Sequence, residues 1–277
     1  MKPRQKKKIK TIIMFLINLV LGIIFISPLI VGFCFSFQKE SELGVYPLKL
    51  ITDSPTLQNY IEIFHSVPLL SYLKNSVIVC GITIFAQIVV ACLAAYGFAF
   101  YEFPFKRTLF SIVLMTTMIP GEVTVITNYT TVQHWNLTNT YAGLSVTSLI
   151  SGMAIFMMRQ YFLTLPKDFR DAAKIDGCGD MGFLFHVVCP LSVPTISSLA
   201  IYLFVQIYNQ YFWPLLVTNT DKMRTIQIGI SYLVTGDTLY YGHILAGAVI
   251  AVLPVVIVYI FGQDYIIKGM TAGGVKG

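Results

Sequence analysis

TIIMFLINLVLGIIFISPLIVGFCFSF, residues 11–37, contains no Asp, Glu, Lys or Arg. A bilayer hydrocarbon core about 30 Å thick is crossed by roughly 20 apolar residues of helix, so this run is long enough to span it. Six basic residues, Lys2, Arg4, Lys6, Lys7, Lys8 and Lys10, precede it. That arrangement is signal-peptide-like, but the run is too long and lacks a small-residue cleavage site. It reads as a retained first transmembrane helix.

The 277-residue chain is 56% hydrophobic and 12% charged, against about 25% charged in a soluble domain. Bilayer is therefore the predicted solvent for most of it. Apolar runs place helices near residues 11–36, 72–100, 108–132, 142–163, 192–217 and 240–266. The predicted fold is all-α: a polytopic membrane protein, one membrane domain over residues 1–277, with about six transmembrane helices. Of the 19 Lys and Arg residues, fourteen fall on the side that holds the N-terminus: the six above with Lys106, Arg107, Arg159, Lys167, Arg170, Lys174, Lys268 and Lys276. Lys39, Lys49, Lys74, Lys222 and Arg224 fall on the other. The positive-inside rule puts the richer side in the cytoplasm. This predicts a basic cytoplasmic N-terminus (1–10), an extracytoplasmic loop (38–71), a cytoplasmic loop between helices four and five (164–190) and a cytoplasmic tail (267–277). The formal charge of +6 is thus a topology signal, and no nucleic-acid partner is expected. Cys34, Cys80, Cys92, Cys178 and Cys189 form no CxxC pair and have no His at ligand spacing, so they read as packing residues and no metal site is expected.

Within the second helix Ala91, Ala95 and Ala99 recur every four residues, a ridge that lets another helix approach closely. It serves either packing inside the chain or an interface with another subunit. Glu122 is the only carboxylate well inside a predicted span, beside a Pro120-Gly121 break, and an ionisable group there is a functional candidate. No Lys or Arg lies at similar depth, so it is protonated, solvated in a pathway, or paired across a subunit interface. In the fifth helix Gln206, Asn209 and Gln210 fall on one face, with Tyr202 and Trp213 near it. Amides and aromatic rings suit a neutral polyol or sugar; the alternative is hydrogen bonding to a neighbouring subunit's helices. Glu122, Tyr202, Gln206, Asn209 and Gln210 are the candidate pathway residues.

The loop between helices four and five changes composition abruptly, with Lys167, Asp168, Arg170, Asp171, Lys174, Asp176 and Asp180 clustered together. Pro166 and Asp168 suit a helix start, since proline gives up only an orphan N–H there and the carboxylate faces the positive end of the dipole. Gly177 suits the end, as a left-handed cap. Phe169, Ala172, Ala173 and Asp176 share one face of that helix. A second helix follows with Met181, Leu184, Phe185 and Val188 at the same spacing, and Pro190 and Pro194 turn the chain into the membrane. Two short amphipathic helices joined at a glycine make an angled knob, which either docks into a partner protein or lies on lipid.

Asp171-Ala172-Ala173-Lys174-Ile175-Asp176-Gly177, then nine residues, then Val187-Val188-Cys189-Pro190, resembles the EAA loop of bacterial ABC importer permeases, whose pattern is EAA, three residues, DG, nine residues, I-x-L-P. The spacing matches throughout; Asp171, Val187 and Cys189 depart from the pattern. The tail, Gly269 to Gly277, resembles the C-terminus of maltose-type permeases of the carbohydrate-uptake family. The resemblance implies a multi-pass protein of the bacterial cytoplasmic membrane that works with a second homologous permease, two ATP-binding subunits and an extracytoplasmic solute-binding protein. It implies ATPase docking by Asp171, Ala172, Ala173, Asp176, Gly177 and Pro190, and a tail (Gly273, Gly274, Lys276) near the same interface. No P-loop pattern occurs in the chain, so ATP and magnesium belong to the partner ATPases and this chain binds no cofactor. The implied cargo is a sugar, oligosaccharide or related polyol such as glycerol 3-phosphate.

Two rival classes are weaker. Gly177-Cys178-Gly179-Asp180 spells the GxGD signature of intramembrane aspartyl proteases, but that chemistry needs two carboxylates facing each other inside the membrane, and no aspartate occurs in the preceding helices. A secondary transporter more often carries several intramembrane acids or paired broken helices.

Overall fold

The computed structural model describes the backbone of residues 3–47, 49–166, 168–234 and 240–272, and side chains between residues 10 and 265. Among the described residues every regular element is helical: α1 (Pro3–Ser36), α2 (Gln58–Ser66), α3 (Leu69–Phe100), α4 (Lys106–Thr116), α5 (Gly121–His134), α6 (Tyr141–Ser145) running into a 3-10 turn (Val146–Ser148), α7 (Gly152–Phe162), α8 (Asp168–Ile175), α9 (Asp180–Phe183), a π turn (Leu184–Val188), α10 (Cys189–Leu191), α11 (Val193–Tyr208), α12 (Phe212–Val217), α13 (Ile226–Val234) and α14 (Tyr241–Ala272). They gather into two compact units, Met1–Pro68 with Ile230–Val252, and Leu69–Gly229 with Leu253–Gly277.

In the first unit, α1 is apolar and fully exposed along its most hydrophobic stretch, as suits a helix solvated by lipid. Its C-terminal carbonyls have no partner within the helix. Asn59 of α2 supplies one, donating from Nδ2 to the Ser36 and Gln38 carbonyls at 2.8 Å each. The start of α14 is met in the same way. The Glu40 carboxylate accepts from the Tyr241 and Gly242 amides at 2.9 Å each, placing negative charge at the positive end of the helix dipole.

In the second unit α3 is a long unbroken span, and α7 and α11 pack against it. Ala91 and Ala95 are fully buried in this packing, together with Ala154 and Met158 of α7 and Leu199 of α11. The alanine ridge therefore works inside the chain.

Three predicted spans are not continuous. Among the described residues three helices are long and apolar enough to cross a membrane, and six spans result only if each bent pair counts as one. α4 and α5 meet at 89°, α6 with its 3-10 turn meets α7 at 54°, and Asp180–Leu191 meets α11 at 75°. The predicted helix 192–217 also stops at Tyr208 and resumes at Phe212. Composition alone fixes apolar length, whereas proline and local side-chain bonds fix where a helix turns. Pro120 is extended, at φ −60° and ψ 135°, and starts α5 without an N–H. Ser151 starts α7 by accepting from the Ala154 amide.

A tripeptide, Asn139-Thr140-Tyr141, braces the end of this unit opposite α8. Asn139 has φ +56°, a left-handed conformation that Asn tolerates better than most residues. From there its Oδ1 accepts from the Asn219 and Thr220 amides at 2.7 and 3.2 Å. Thr140 caps α6 through the Gly143 amide. The Tyr141 hydroxyl donates to Asn75 Oδ1 at 2.7 Å, and Asn75 Nδ2 in turn holds the Lys222 and Arg224 carbonyls. Asn139→Ala removes both the bonds and the backbone tolerance. It is expected to destabilise the protein by about 1–3 kcal/mol, read as a lower midpoint of thermal unfolding in detergent, with Asn139→Gly losing less.

Candidate functional site

The first candidate region is the α8 knob. α8 begins at Asp168, with the Phe169 amide bonded to the Pro166 carbonyl. It ends at Gly177, which has φ +75°. The Cys178 amide bonds the Ala173 carbonyl at 2.8 Å and the Gly177 amide bonds the Lys174 carbonyl at 3.0 Å, the paired closure of a glycine-capped helix. Ala173 is turned inward, while Asp171, Ala172, Asp176 and Gly177 face outward. Two apolar side chains face outward with them: Phe169, 44% exposed, and Ile175, 87% exposed.

The second short helix differs from its predicted form. Phe183, Leu184 and Val188 are buried, whereas Met181 and Phe185 are exposed. The π turn over Leu184–Val188, with the Cys189 amide bonded to the Leu184 carbonyl, widens the helical repeat. Leu184 and Val188, at its two ends, are nonetheless buried as their spacing predicts. Pro190, exposed, follows directly. The chain then bends into α11 at Ser192, a buried residue whose hydroxyl donates to the Val188 carbonyl at 2.6 Å.

Arg170, which sequence reasoning missed as a site residue, ties the knob to the rest of its unit. Its Nη1 donates to the Phe100 carbonyl at 2.6 Å and its Nη2 pairs with Asp180 at 3.5 Å. The guanidinium also lies 5.2 Å from the Tyr101 ring centre. A bonded Tyr101 hydroxyl, and the Arg170 charge, hold the Asp180 carboxyl below its ordinary range despite some burial. The only signal in the sequence was an arginine among acids, which a solvated surface also shows.

The second candidate region is a cavity of about 370 Å³ beside the bent spans. Glu122, in the first turn of α5, and Gln210, just past the end of α11, both line it, with Asn128, Ser148, Tyr211 and Trp213. Among the described residues no hydrogen bond or ion pair reaches the Glu122 carboxylate. Trp213 is aimed by its Nε1–H, which donates to the Gly143 carbonyl at 3.2 Å. Tyr202, Gln206 and Asn209 are exposed elsewhere. Because α11 ends at Tyr208, Asn209 and Gln210 leave its helical face, and Asn209 instead accepts from Gln227 at 3.3 Å. Gln87 of α3, also missed, is buried and donates to the Ser148 carbonyl on the cavity wall. A lone amide in an apolar span was its only mark. Gly273, Gly274 and Lys276 lie outside the described residues. Among the described residues no group of His, Cys, Asp or Glu is arranged to hold a metal ion.

Over residues 4–272 the sequence matches the family described as binding-protein-dependent transport system inner membrane component. The chain belongs to this family. It is a multi-pass permease of a bacterial ABC importer, a transport subunit and not an enzyme, with ATP held by partner subunits. The permease is 34% identical to the arabinooligosaccharides transport system permease protein AraQ of Halalkalibacterium halodurans, over 99% of this chain and 100% of the relative. It is also 34% identical to the sn-glycerol-3-phosphate transport system permease protein UgpE of Agrobacterium fabrum, over 91% and 93%. A crystal structure of a bacterial ABC transporter involved in the import of the acidic polysaccharide alginate contains a chain of the same fold. Its TM-score is 0.81 at 18% identity, covering 94% of the permease and 97% of that chain.

If the cavity is hydrated, Glu122→Cys is expected to react with a water-soluble thiol reagent about tenfold or more faster than buried Cys92, since exposure controls thiol reactivity. Peptide mapping by mass spectrometry reads both sites in one sample.

Proposed function

We propose that this permease imports a sugar, oligosaccharide or related polyol, and that the α8 knob is where partner ATPases drive it. The observation that carries the docking half is Ile175, 87% exposed on a charged helix. Burying an Ile side chain fully is worth about 1.5–3 kcal/mol, and a cleft on an ATPase supplies that burial. Asp171, Ala172, Asp176 and Gly177 surround it, with Pro190 at the foot of the knob. In this reading the knob and both termini are cytoplasmic, the loop 38–71 faces a solute-binding protein outside, and a second homologous permease completes the pathway. ATP binding closes the ATPase pair, and the bent spans switch the bundle between inward and outward openings.

Glu122 and Gln210 form this chain's share of the pathway, with Tyr202, Gln206 and Asn209 exposed toward the second permease. Amides beside Tyr211 and Trp213 suit a cargo with hydroxyls on its edges and C–H groups on its faces, which favours a neutral sugar. Glycerol 3-phosphate is the second reading, because the two relatives named above are equally similar to this chain.

Gly177→Leu tests the docking half. A leucine at φ +75° is strained by about 1–2 kcal/mol, yet its Cβ meets no atom of this chain within 4 Å, so a folded permease with a blocked knob is expected. ATPase subunits should no longer co-purify; normal co-purification with normal uptake would sink the assignment. The cargo is tested on the partner solute-binding protein by thermal shift, where a ligand at a hundred times its Kd stabilises by about 2.7 kcal/mol. Stabilisation by arabino-oligosaccharides supports the first reading and by glycerol 3-phosphate the second; stabilisation by neither, nor by other sugars, removes both.

A further inference from the structure

We infer that Arg170 is a positioning residue that makes α3, and not only the chain leading to α11, follow the α8 knob. The inference rests on the docking reading above. Besides the short chain that enters α8 from the end of α7, two routes lead from α8 into the membrane. The covalent route runs through Gly177, Cys178 and Gly179 and around the 75° bend at Ser192. At both glycines an added Cβ would touch nothing within 4 Å, so neither is held by packing, and glycine has the loosest backbone of any residue. A displacement imposed on α8 is partly absorbed there.

The second route is non-covalent and stiff. Arg170 sits in the first turn of α8, and Phe100 is the last residue of α3. The Phe100 carbonyl is an orphan of the helix end, and the guanidinium fills it at 2.6 Å. Charge-assisted bonds of this kind are short and strong, and the positive charge is favoured at a helix C-terminus. The Tyr101 ring and Asp180 hold the guanidinium from two further directions. Arg159 of α7 grips the same helix end, donating to the Phe98 carbonyl at 3.2 Å. The end of α3 is thus clamped to the bundle by one arginine and to the knob by another. Since α3 is an unbroken helix, a push on α8 through Arg170 reaches α7 and α11, the helices packed on it, without crossing the glycine linker. The contact with α3 needs arginine: lysine keeps the charge but loses the planar, forked donor geometry and the ring contact.

The test uses the complete transporter, with its second permease and ATPase subunits, in nanodiscs. Thr124→Cys, on the cavity wall, is the reporter, and its labelling rate by a water-soluble maleimide is compared without nucleotide and with ATP plus vanadate. A several-fold change on trapping is expected in the parent. Arg170→Gln is expected to bring that ratio close to one while the ATPase subunits still co-purify and ATP hydrolysis persists, and Arg170→Lys to fall between. Gly179 has φ −72° and ψ 168°, which alanine adopts freely. Adding Gly179→Ala to Arg170→Gln stiffens the covalent route and is expected to restore part of the ratio, which a merely structural role for Arg170 does not predict. An unchanged ratio in Arg170→Gln overturns the inference with docking intact. So does loss of the ATPase subunits from both Arg170 variants, which makes Arg170 part of the fold or the dock. Failure of the docking reading shows separately, as parent-like co-purification in Gly177→Leu.

Discussion

Inside a bilayer no water is at hand for a freed backbone group, so every interruption of a helix must be repaired by the protein itself or face a water-filled cavity. The bent spans of this permease are organised by that constraint. At the break after α4, Thr116 and Thr117 return their hydroxyls to the Val113 and Leu114 carbonyls at 2.6 Å each, and Pro120 has no N–H to satisfy. At the break before α7, Gln87 reaches from α3 to the Ser148 carbonyl and Ser151 caps the new helix. At the entry to α11, Ser192 repairs its own turn. The first two breaks place the start of α5 and the end of the α6 turn around one cavity. Glu122 and Ser148 are there because the helices stop there.

The same logic separates stiff parts from compliant ones. α3 has no break, no proline and a buried face that runs from Leu69 to Tyr96, so it behaves as a rod. The joints lie where glycine or proline interrupts the ladder: at Gly177 and Gly179 beside the knob, at Pro120, and at Ser192 between Pro190 and Pro194. A two-state transporter needs both kinds of part, since rigid elements carry a displacement and a few backbone positions absorb the rotation. Here they are distinct in sequence, and polar side chains bridge them: Gln87 from the rod to the cavity wall, and Arg170 from the knob to the rod.

How much of this was legible in the sequence follows from the physics of each feature. The all-helical membrane fold was readable because bilayer thickness sets a length that composition reveals directly. The end of α8 at Gly177 was readable because one residue type dominates left-handed caps. The face of the following helix was half readable: Leu184 and Val188 are buried as their spacing suggests, whereas Met181 and Phe185 are exposed. The three bends were half-signalled by Pro120, Pro190 and Pro194, but at Leu149–Ser151 no proline marks the turn. For the candidate pathway, Glu122 and Gln210 do line one cavity. Asn209 parts from Gln210 because the helix ends at Tyr208 and resumes only at Phe212, ahead of Pro214, which has no N–H for the Gln210 carbonyl. Arg170 and Gln87 were passed over for the opposite reason: their partners are main-chain carbonyls, Phe100 and Ser148, which leave no trace in the identity of the residue that offers them.

A chain only 18% identical has the same fold at a TM-score of 0.81, so the fold asks little of any one position beyond apolar length, small residues where helices touch, and repaired breaks. Those demands are met along most of the chain. Two permeases named for different cargoes, a neutral oligosaccharide and a phosphorylated polyol, can therefore stand at the same 34% identity to this one. Similarity summed over 277 residues chiefly counts how well lipid, helix packing and backbone satisfaction are served. In the proposed reading, selection among solutes falls to the few side chains left over, those facing the cavity around Glu122, and to the binding protein that delivers the solute.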